Sequence, residues 1–234
     1  MNLGIFVINL DDRQDRFITF MDQFSQANFP PIIRFSAVNG KSLESSHPSP
    51  NGVAACWLSH QGVFNEVLEN NFSHALIFED DAKILQHPED LISEIMQIDL
   101  TGLDILQIGY LTRRGRLDSG NYDIIVRLKF NILKICSLAL SNLGKKKNKE
   151  SRKKMNRISL KVIENSFEAG THAYLINRKT CEILSEANNP VFFAADLYLI
   201  ALSRSMQLRI GRSSKSLVGQ TESHSSISVR ERFA

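Results

Sequence analysis

Apolar and polar positions separate the strands of this chain from its helices. Leu3–Leu10 is rich in Ile, Val and Phe, the content of a buried strand. Asp11-Asp12-Arg13-Gln14-Asp15-Arg16 follows, and then Phe17, Phe20, Met21 and Phe24 recur at helical spacing. Acids at a helix start complement its dipole. Arg13 and Arg16 fall one turn apart, on one side of that first turn. Asn28-Phe29-Pro30-Pro31 ends the helix, and Ile32–Val38 predicts a second strand closed by Asn39-Gly40. Strand, helix, strand is the repeating unit of a parallel sheet.

Residues 41–52 read as a loop. Ala55, Trp57, Leu58, Val63, Phe64 and Val67 predict a helix from about Val53 to Leu68. A strand over 75–78, helical segments around 88–98 and a strand over Leu103–Gly109 come next. Residues 110–165 are the least regular part. Val126–Phe130 alternates like a strand, after which Arg127, Asn131, Lys134, Ser137 and Ser141 leave a broad apolar helical face. Gly170–Asn177 predicts a strand and Arg178–Ala187 a helix. Ala194–Ile200 places one acid, Asp196, at the start of an apolar helix. From about Ser213 the chain is a polar, Ser-rich tail.

The 75–78 strand, Ala75-Leu76-Ile77-Phe78, runs straight into Glu79-Asp80-Asp81. Ionised carboxylates are strongly disfavoured in an apolar core, so the strand should end at a sheet edge open to water or ligand. Adjacent like charges repel unless a cation sits among them. Such oxygen clusters suit Mg²⁺ or Mn²⁺ with substrate phosphates completing the shell. Open α/β sheets bind ligands at the carboxyl ends of their strands. Taken alone, the triplet reads equally well as a solvated acidic turn.

Composition changes this picture in two places. With 234 residues, 43% hydrophobic, the chain can bury one sizeable core. Its three cysteines, Cys56, Cys136 and Cys181, show no CxxC spacing, which argues against a disulfide framework or a structural zinc site and fits cytosolic thiols. The N-terminus lacks a basic n-region and reads as a strand, not a signal peptide. No apolar run reaches the length of a membrane span. Charge is local: residues 145–161 hold nine basic groups and Glu150, so this tract carries +8 of a net +3 and leaves −5 elsewhere. An apolar helical face beside a polybasic tract suits an anionic membrane surface; a surface loop over a core helix is the alternative. The tract lacks aromatic interleaving and any nucleic-acid module, so no nucleic-acid partner is expected.

The ordered set of motifs is more specific than any one of them. INLDDRQDR follows the first strand, NGVAACWLSH opens a helix, LIFEDDA comes next, GTHAYLIN precedes AADLYL, and SLVGQTESHSSI lies near the end. This set resembles glycosyltransferase family 25, the bacterial lipopolysaccharide and lipooligosaccharide glycosyltransferases, with collagen galactosyltransferases as relatives. The resemblance covers about residues 3–109 and 166–228.

What the resemblance implies is a GT-A type α/β fold with a mostly parallel central sheet flanked by helices. It implies a single domain over 1–234, with a variable basic insertion at about 110–165 and the polar tail from about 213. Glu79-Asp80-Asp81 is similar to the DxD-type element that holds Mn²⁺ (or Mg²⁺) and a nucleotide sugar. Asp81 and Asp80 are then metal ligands, with Glu79 a contact to ribose or metal-bound water. Asn9, Arg13 and Arg16 line the nucleotide pocket, with ion pairs to Asp12 or Asp15 as the alternative for the arginines. The family is described as inverting, which requires a base on the acceptor side; Asp196 matches its acid, and a helix-terminal acid is the competing role. His60 belongs to the family's SH pair and either ties its helix to the sugar site or is structural. His224 is expected as a third metal ligand or a closure over UDP, unless the tail is disordered.

The expected activity is transfer of a hexose, galactose from UDP-galactose, to a lipid-linked glycan at the cytoplasmic face of the membrane. A receiver-like phosphate domain fits less well, because it should begin with the acidic strand. The alternatives are a non-catalytic nucleotide-sugar-binding module, against which the intact acidic triplet and Asp196 argue, and a metal-dependent phosphate enzyme such as a nucleotidyltransferase, which would consume a sugar phosphate and NTP and not release UDP.

Overall fold

A computed structural model describes residues 2–44, 47–98, 100, 102–111, 161–205 and 207–221. The strand and helical face expected over 126–141, the basic tract except Lys161, and His224 lie outside the described residues.

The strands are β1 (Leu3–Asn9), β2 (Ile33–Ser36), β3 (His74–Glu79), β4 (Ala82–Ile84), β5 (Ile105–Gly109), β6 (Val162–Glu164), β7 (Ala173–Asn177), β8 (Ile210–Ser213) and β9 (Val218–Gln220). The helices are α1 (Gln14–Asp22), α2 (Asn51–Glu69), α3 (Pro88–Gln97), α4 (Arg178–Leu184) and α5 (Ala195–Ser205), with one 3-10 turn at Gly40–Ser42.

The sheet order is β2-β1-β3-β7-β5-β8-β6, with β9 joining β5 and β4 pairing β9. Strands β1, β2, β3, β5, β8 and β9 point one way, while β4, β6 and β7 oppose them. This is the mostly parallel α/β sheet flanked by helices that was expected, and it is consistent with a GT-A type. Its centre departs from a purely parallel arrangement, because β7 runs antiparallel between β3 and β5.

Both faces of the sheet are covered, which is why the central strands read as near-continuous apolar runs. Alternate residues feed two cores. Phe6, Ile77, Ile105 and Tyr174 pack with Trp57, Val63 and Phe64 of α2, Cys181 of α4 and Leu199 of α5. Ile5, Val7, Leu76, Phe78 and Leu106 pack with Phe20 of α1 and with Leu91 and Ile95 of α3. Trp57 is wholly buried, donates from Nε1 to Ala187 O at 3.0 Å, and meets Tyr198 edge-on at 5.1 Å. Helix α2 lies close on the sheet because Gly62 has no side chain: a Cβ there would fall 2.2 Å from Phe35 Cζ.

Four short strands, β4, β6, β8 and β9, differ from the sequence expectation. The polar stretch from Ser213 contains β9, which is held by β4 and β5. Strand β6 sits in the stretch read as irregular, pairing only with β8 at the edge. Short, polar strands carry little periodicity, and pairing with distant residues decides them. Among the described residues no helix is long and apolar enough to cross a membrane.

Candidate active site

Strand direction gathers the chemistry at one edge of the sheet. The parallel strands β1, β3 and β9 end there with Asn9, Glu79 and Gln220. Antiparallel β7 begins there, preceded by Gly170-Thr171-His172. Asp196, at the first turn of α5, reaches the same place, its Oδ2 accepting from Gly170 N at 3.3 Å.

The three adjacent carboxylates do not share one space. Each turns to a different element, which relieves the repulsion expected of them. Glu79 faces α2: its Oε1 lies 3.4 Å from His60 Nε2 and accepts from Thr171 Oγ1. His60 is buried, and its other ring nitrogen, Nδ1, is 2.8 Å from Tyr174 Oη. Burial pushes Tyr174 well above the usual phenol range, so its hydroxyl keeps its proton. Burial also opposes ionisation of Glu79, but His60 and the Thr171 hydrogen bond outweigh it and hold the carboxyl down at about 2.

Asp80 faces β1 and α1. Asn9 Nδ2 donates to its Oδ2 at 2.8 Å, and Arg16 Nη1 lies 3.4 Å from its Oδ1. Asn9 is itself fixed, donating also to Arg13 O at 2.9 Å and accepting from Arg34 Nε at 2.9 Å. Burial and the Glu79 charge raise Asp80, against the pull of Asn9 and Arg16. Arg16 is buried and reaches Asp80 rather than the acids of its own turn. Arg13 takes the local alternative, making two hydrogen bonds to Asp15 at 3.0 and 2.8 Å on the surface.

Asp81 faces β9 and is 6% exposed. Gln220 Nε2 donates to its Oδ2 at 2.7 Å, and Thr221 N to its main-chain oxygen at 2.8 Å. Its Oδ1 is buried with no hydrogen-bond partner among the described residues. Burial first, then the Glu79 charge, pushes this carboxyl up to about 7, against the Gln220 hydrogen bond. A buried carboxylate oxygen left without a donor, in a cluster of like charges, has the chemistry of a cation ligand. The donor set therefore fits a hard divalent ion at Asp81. Asp80 already has each oxygen engaged, so it offers only remaining lone pairs.

Asp196 is half-buried and does act as a helix-terminal acid, its Oδ1 accepting from Leu197 N at 2.8 Å. The bond to Gly170 ties it to the segment that leads into β7 and bears Thr171. Gly170 has φ +99°, and a Cβ there would also fall 2.8 Å from His172 Nδ1, so only glycine fits. His172 is buried, with Nε2 3.2 Å from Val218 O, and burial lowers its pKa.

Sequence reasoning missed Thr171, Tyr174, Gln220 and Arg34. None has a local signal of chemistry; each is recruited from a distant strand. Cys56 and His60 had one, their one-turn spacing on α2.

The family model described as glycosyltransferase family 25 (LPS biosynthesis protein) matches residues 2–199. The chain belongs to glycosyltransferase family 25. That family is described as one of glycosyltransferases. Procollagen galactosyltransferase 2 from Homo sapiens is 29% identical over 119 residues, covering 43% of this chain. The Mus musculus protein of the same name matches to the same extent. The chain spans only 19% of the length of these relatives. The crystal structure of A197 from STIV aligns with 96% of each chain at 12% identity and a TM-score of 0.43.

Proposed function

We propose that this family 25 member is a metal-assisted, inverting hexosyltransferase that moves galactose from UDP-galactose to a lipopolysaccharide or lipooligosaccharide glycan. The observation that carries the metal-dependent reading is the buried Oδ1 of Asp81 at the sheet edge, without a hydrogen-bond partner among the described residues. The galactose preference draws on the relatives' printed name, and the acceptor class on the family description.

Asp81 holds the ion, with Asp80 beside it. A bound Mn²⁺ or Mg²⁺ offsets the negative charge that grows on the departing diphosphate. Arg16 and Asn9 fix Asp80, and the Arg16 guanidinium offsets part of the negative charge beside the diphosphate. Glu79, kept ionised by His60 and Thr171, accepts from donor hydroxyls. Asp196 takes the proton from the attacking acceptor hydroxyl as the new bond forms, the role inversion requires. Its link to Gly170 sets its distance from the Glu79 side of the pocket. His224 is proposed to close over the diphosphate, and the 145–161 tract to bring the enzyme to an anionic surface at the cytoplasmic face of the membrane.

The test is UDP release from a panel of UDP-sugars, with Mn²⁺ or EDTA, for the native protein and Asp81→Asn. Mn²⁺-dependent release from UDP-galactose, lost in the variant, is the expected result. No release from any donor, with no UDP binding by calorimetry, overturns the reading. Neutralising the 145–154 charges should weaken binding to anionic liposomes in low salt; unchanged binding removes the membrane role.

A further inference from the structure

A second group of metal-ligating side chains lies on the opposite side of the acidic triplet from Asp81. Cys56 Sγ, a ring nitrogen of His60 and a carboxylate oxygen of Glu79 all lie within 4.8 Å of one another. Cys56 and His60 are one turn apart on α2 and project from one face. Glu79 comes to them from the end of β3.

The spacing is that of ligands around a small ion. His60 Nε2 and Glu79 Oε1 are 3.4 Å apart. Tetrahedral zinc, with N and O bonds of 2.0–2.1 Å, places such atoms about 3.3 Å apart. The outer contacts are also in place. Tyr174 Oη, 2.8 Å from His60 Nδ1, orients the ring so that Nε2 faces Glu79. Thr171 Oγ1 donates to Oε1 of Glu79, the same oxygen that faces His60. His60 is buried, whereas Cys56 is half-buried and the Glu79 side chain is 24% exposed, so an ion can enter from solvent.

We propose that Cys56, His60 and Glu79 form a three-ligand site for a thiophilic divalent ion of the Zn²⁺ class, distinct from the oxygen-only site at Asp81. Sulfur, imidazole and carboxylate together select zinc over the hard ions that suit Asp81. On entry the ion displaces the thiol proton of Cys56 to solvent. The neutral His60 imidazole carries its one proton on Nδ1 towards Tyr174 Oη so that Nε2 is free to bind, and one thiolate with one carboxylate balances the charge of the ion. Three protein ligands leave a fourth position open to water. An ion here engages Glu79 and His60, so it opposes donor binding; that consequence rests on the transferase reading, whereas binding itself does not.

The test uses the full chain, reduced and stripped of metal. Titration with Co²⁺ should give a near-ultraviolet thiolate-to-cobalt band, which one equivalent of Zn²⁺ removes. Cys56→Ser should abolish the band and weaken Zn²⁺ at least about tenfold. His60→Gln should weaken Zn²⁺ likewise, while Asp81→Asn and Cys181→Ser should keep the band. Thermal melts confirm that each variant is folded. No band in the native protein, or an unchanged band and Zn²⁺ affinity in folded Cys56→Ser, overturns the site. Zn²⁺ should also suppress Mn²⁺-dependent UDP release in the native protein but not in Cys56→Ser. Equal suppression in both overturns the inhibitory role. If Asp81→Asn shows that the transferase reading is wrong, the cobalt band still decides the metal site.

Discussion

Glu79 and Asp81 are two residues apart and carry the same functional group, yet they sit in opposite surroundings. On the α2 side, Glu79 is met by an imidazole and a hydroxyl and stays ionised far below neutrality. On the β9 side, among the described residues, the Asp81 carboxylate has one amide donor and one oxygen without a partner, and its carboxyl is held up at about 7. The difference teaches that partners supplied by other elements, more than side-chain identity, set what each acid can do. Glu79 already has two partners within the protein. Asp81 is left for something to complete.

Neutralising Asp81 should produce the largest effect. With Mn²⁺ and donor present, Asp81→Asn should lower UDP release by about 100-fold or more. Its effect on stability should have the opposite sign. A carboxyl raised from 3.8 to about 7 favours the folded state fully only below pH 4 and loses that advantage as pH rises through 7. The metal-free variant should therefore melt higher than the native protein at pH 8, with the gap closing towards pH 4. Scanning calorimetry at both pH values would show it.

Glu79→Gln should do the reverse. The Glu79 carboxyl is lowered from 4.5 to about 2, so its stabilisation is present above pH 4.5 and fades as pH falls towards 2. Urea melts should show a loss of about 1–3 kcal/mol at pH 7, and a smaller one at pH 3. Equal losses at both would mean that the His60 and Thr171 contacts do not act through the charge.

Tyr174→Phe removes only the hydroxyl that orients His60. It should cost about 1 kcal/mol and leave the Asp81 side untouched, so the pH dependence of Mn²⁺ binding should not change. The smallest effect is expected from Gln220→Leu. Losing the Gln220 donor to the Asp81 carboxylate should move the pH midpoint of Mn²⁺ binding upward, as isothermal titration at several pH values would detect.

The same contrast marks what the sequence made legible. Strands β1, β3, β5 and β7 were readable because both their faces are buried, which writes an apolar run into the chain. Helix α2 was readable from Ala55, Trp57, Val63 and Phe64. The acidic triplet was evident, but its division of labour was not. Thr171 reaches Glu79 across 92 residues, and Gln220 reaches Asp81 across 139. Arg16 had acids at hand in its own turn, yet pairs with Asp80, 64 residues away. Such choices depend on which strands become neighbours, and no local period records that. Strands β4, β6, β8 and β9 escaped for the same reason: they are three or four residues long and are fixed by their partners.

The antiparallel strand at the middle of the sheet has a consequence for the order in which the molecule forms. The β2-β1-β3 group can assemble once residues 3–79 have been made. Strand β5, complete at residue 109, cannot join it, because β7 lies between them and ends at residue 177. The nascent chain must therefore carry the open edge of β3 while nearly one hundred further residues are made. Unpaired edges of that kind invite pairing with other chains. Slow translation beyond β5 should lengthen that exposure, and a chaperone holding β3 until β7 emerges should raise the yield of folded protein.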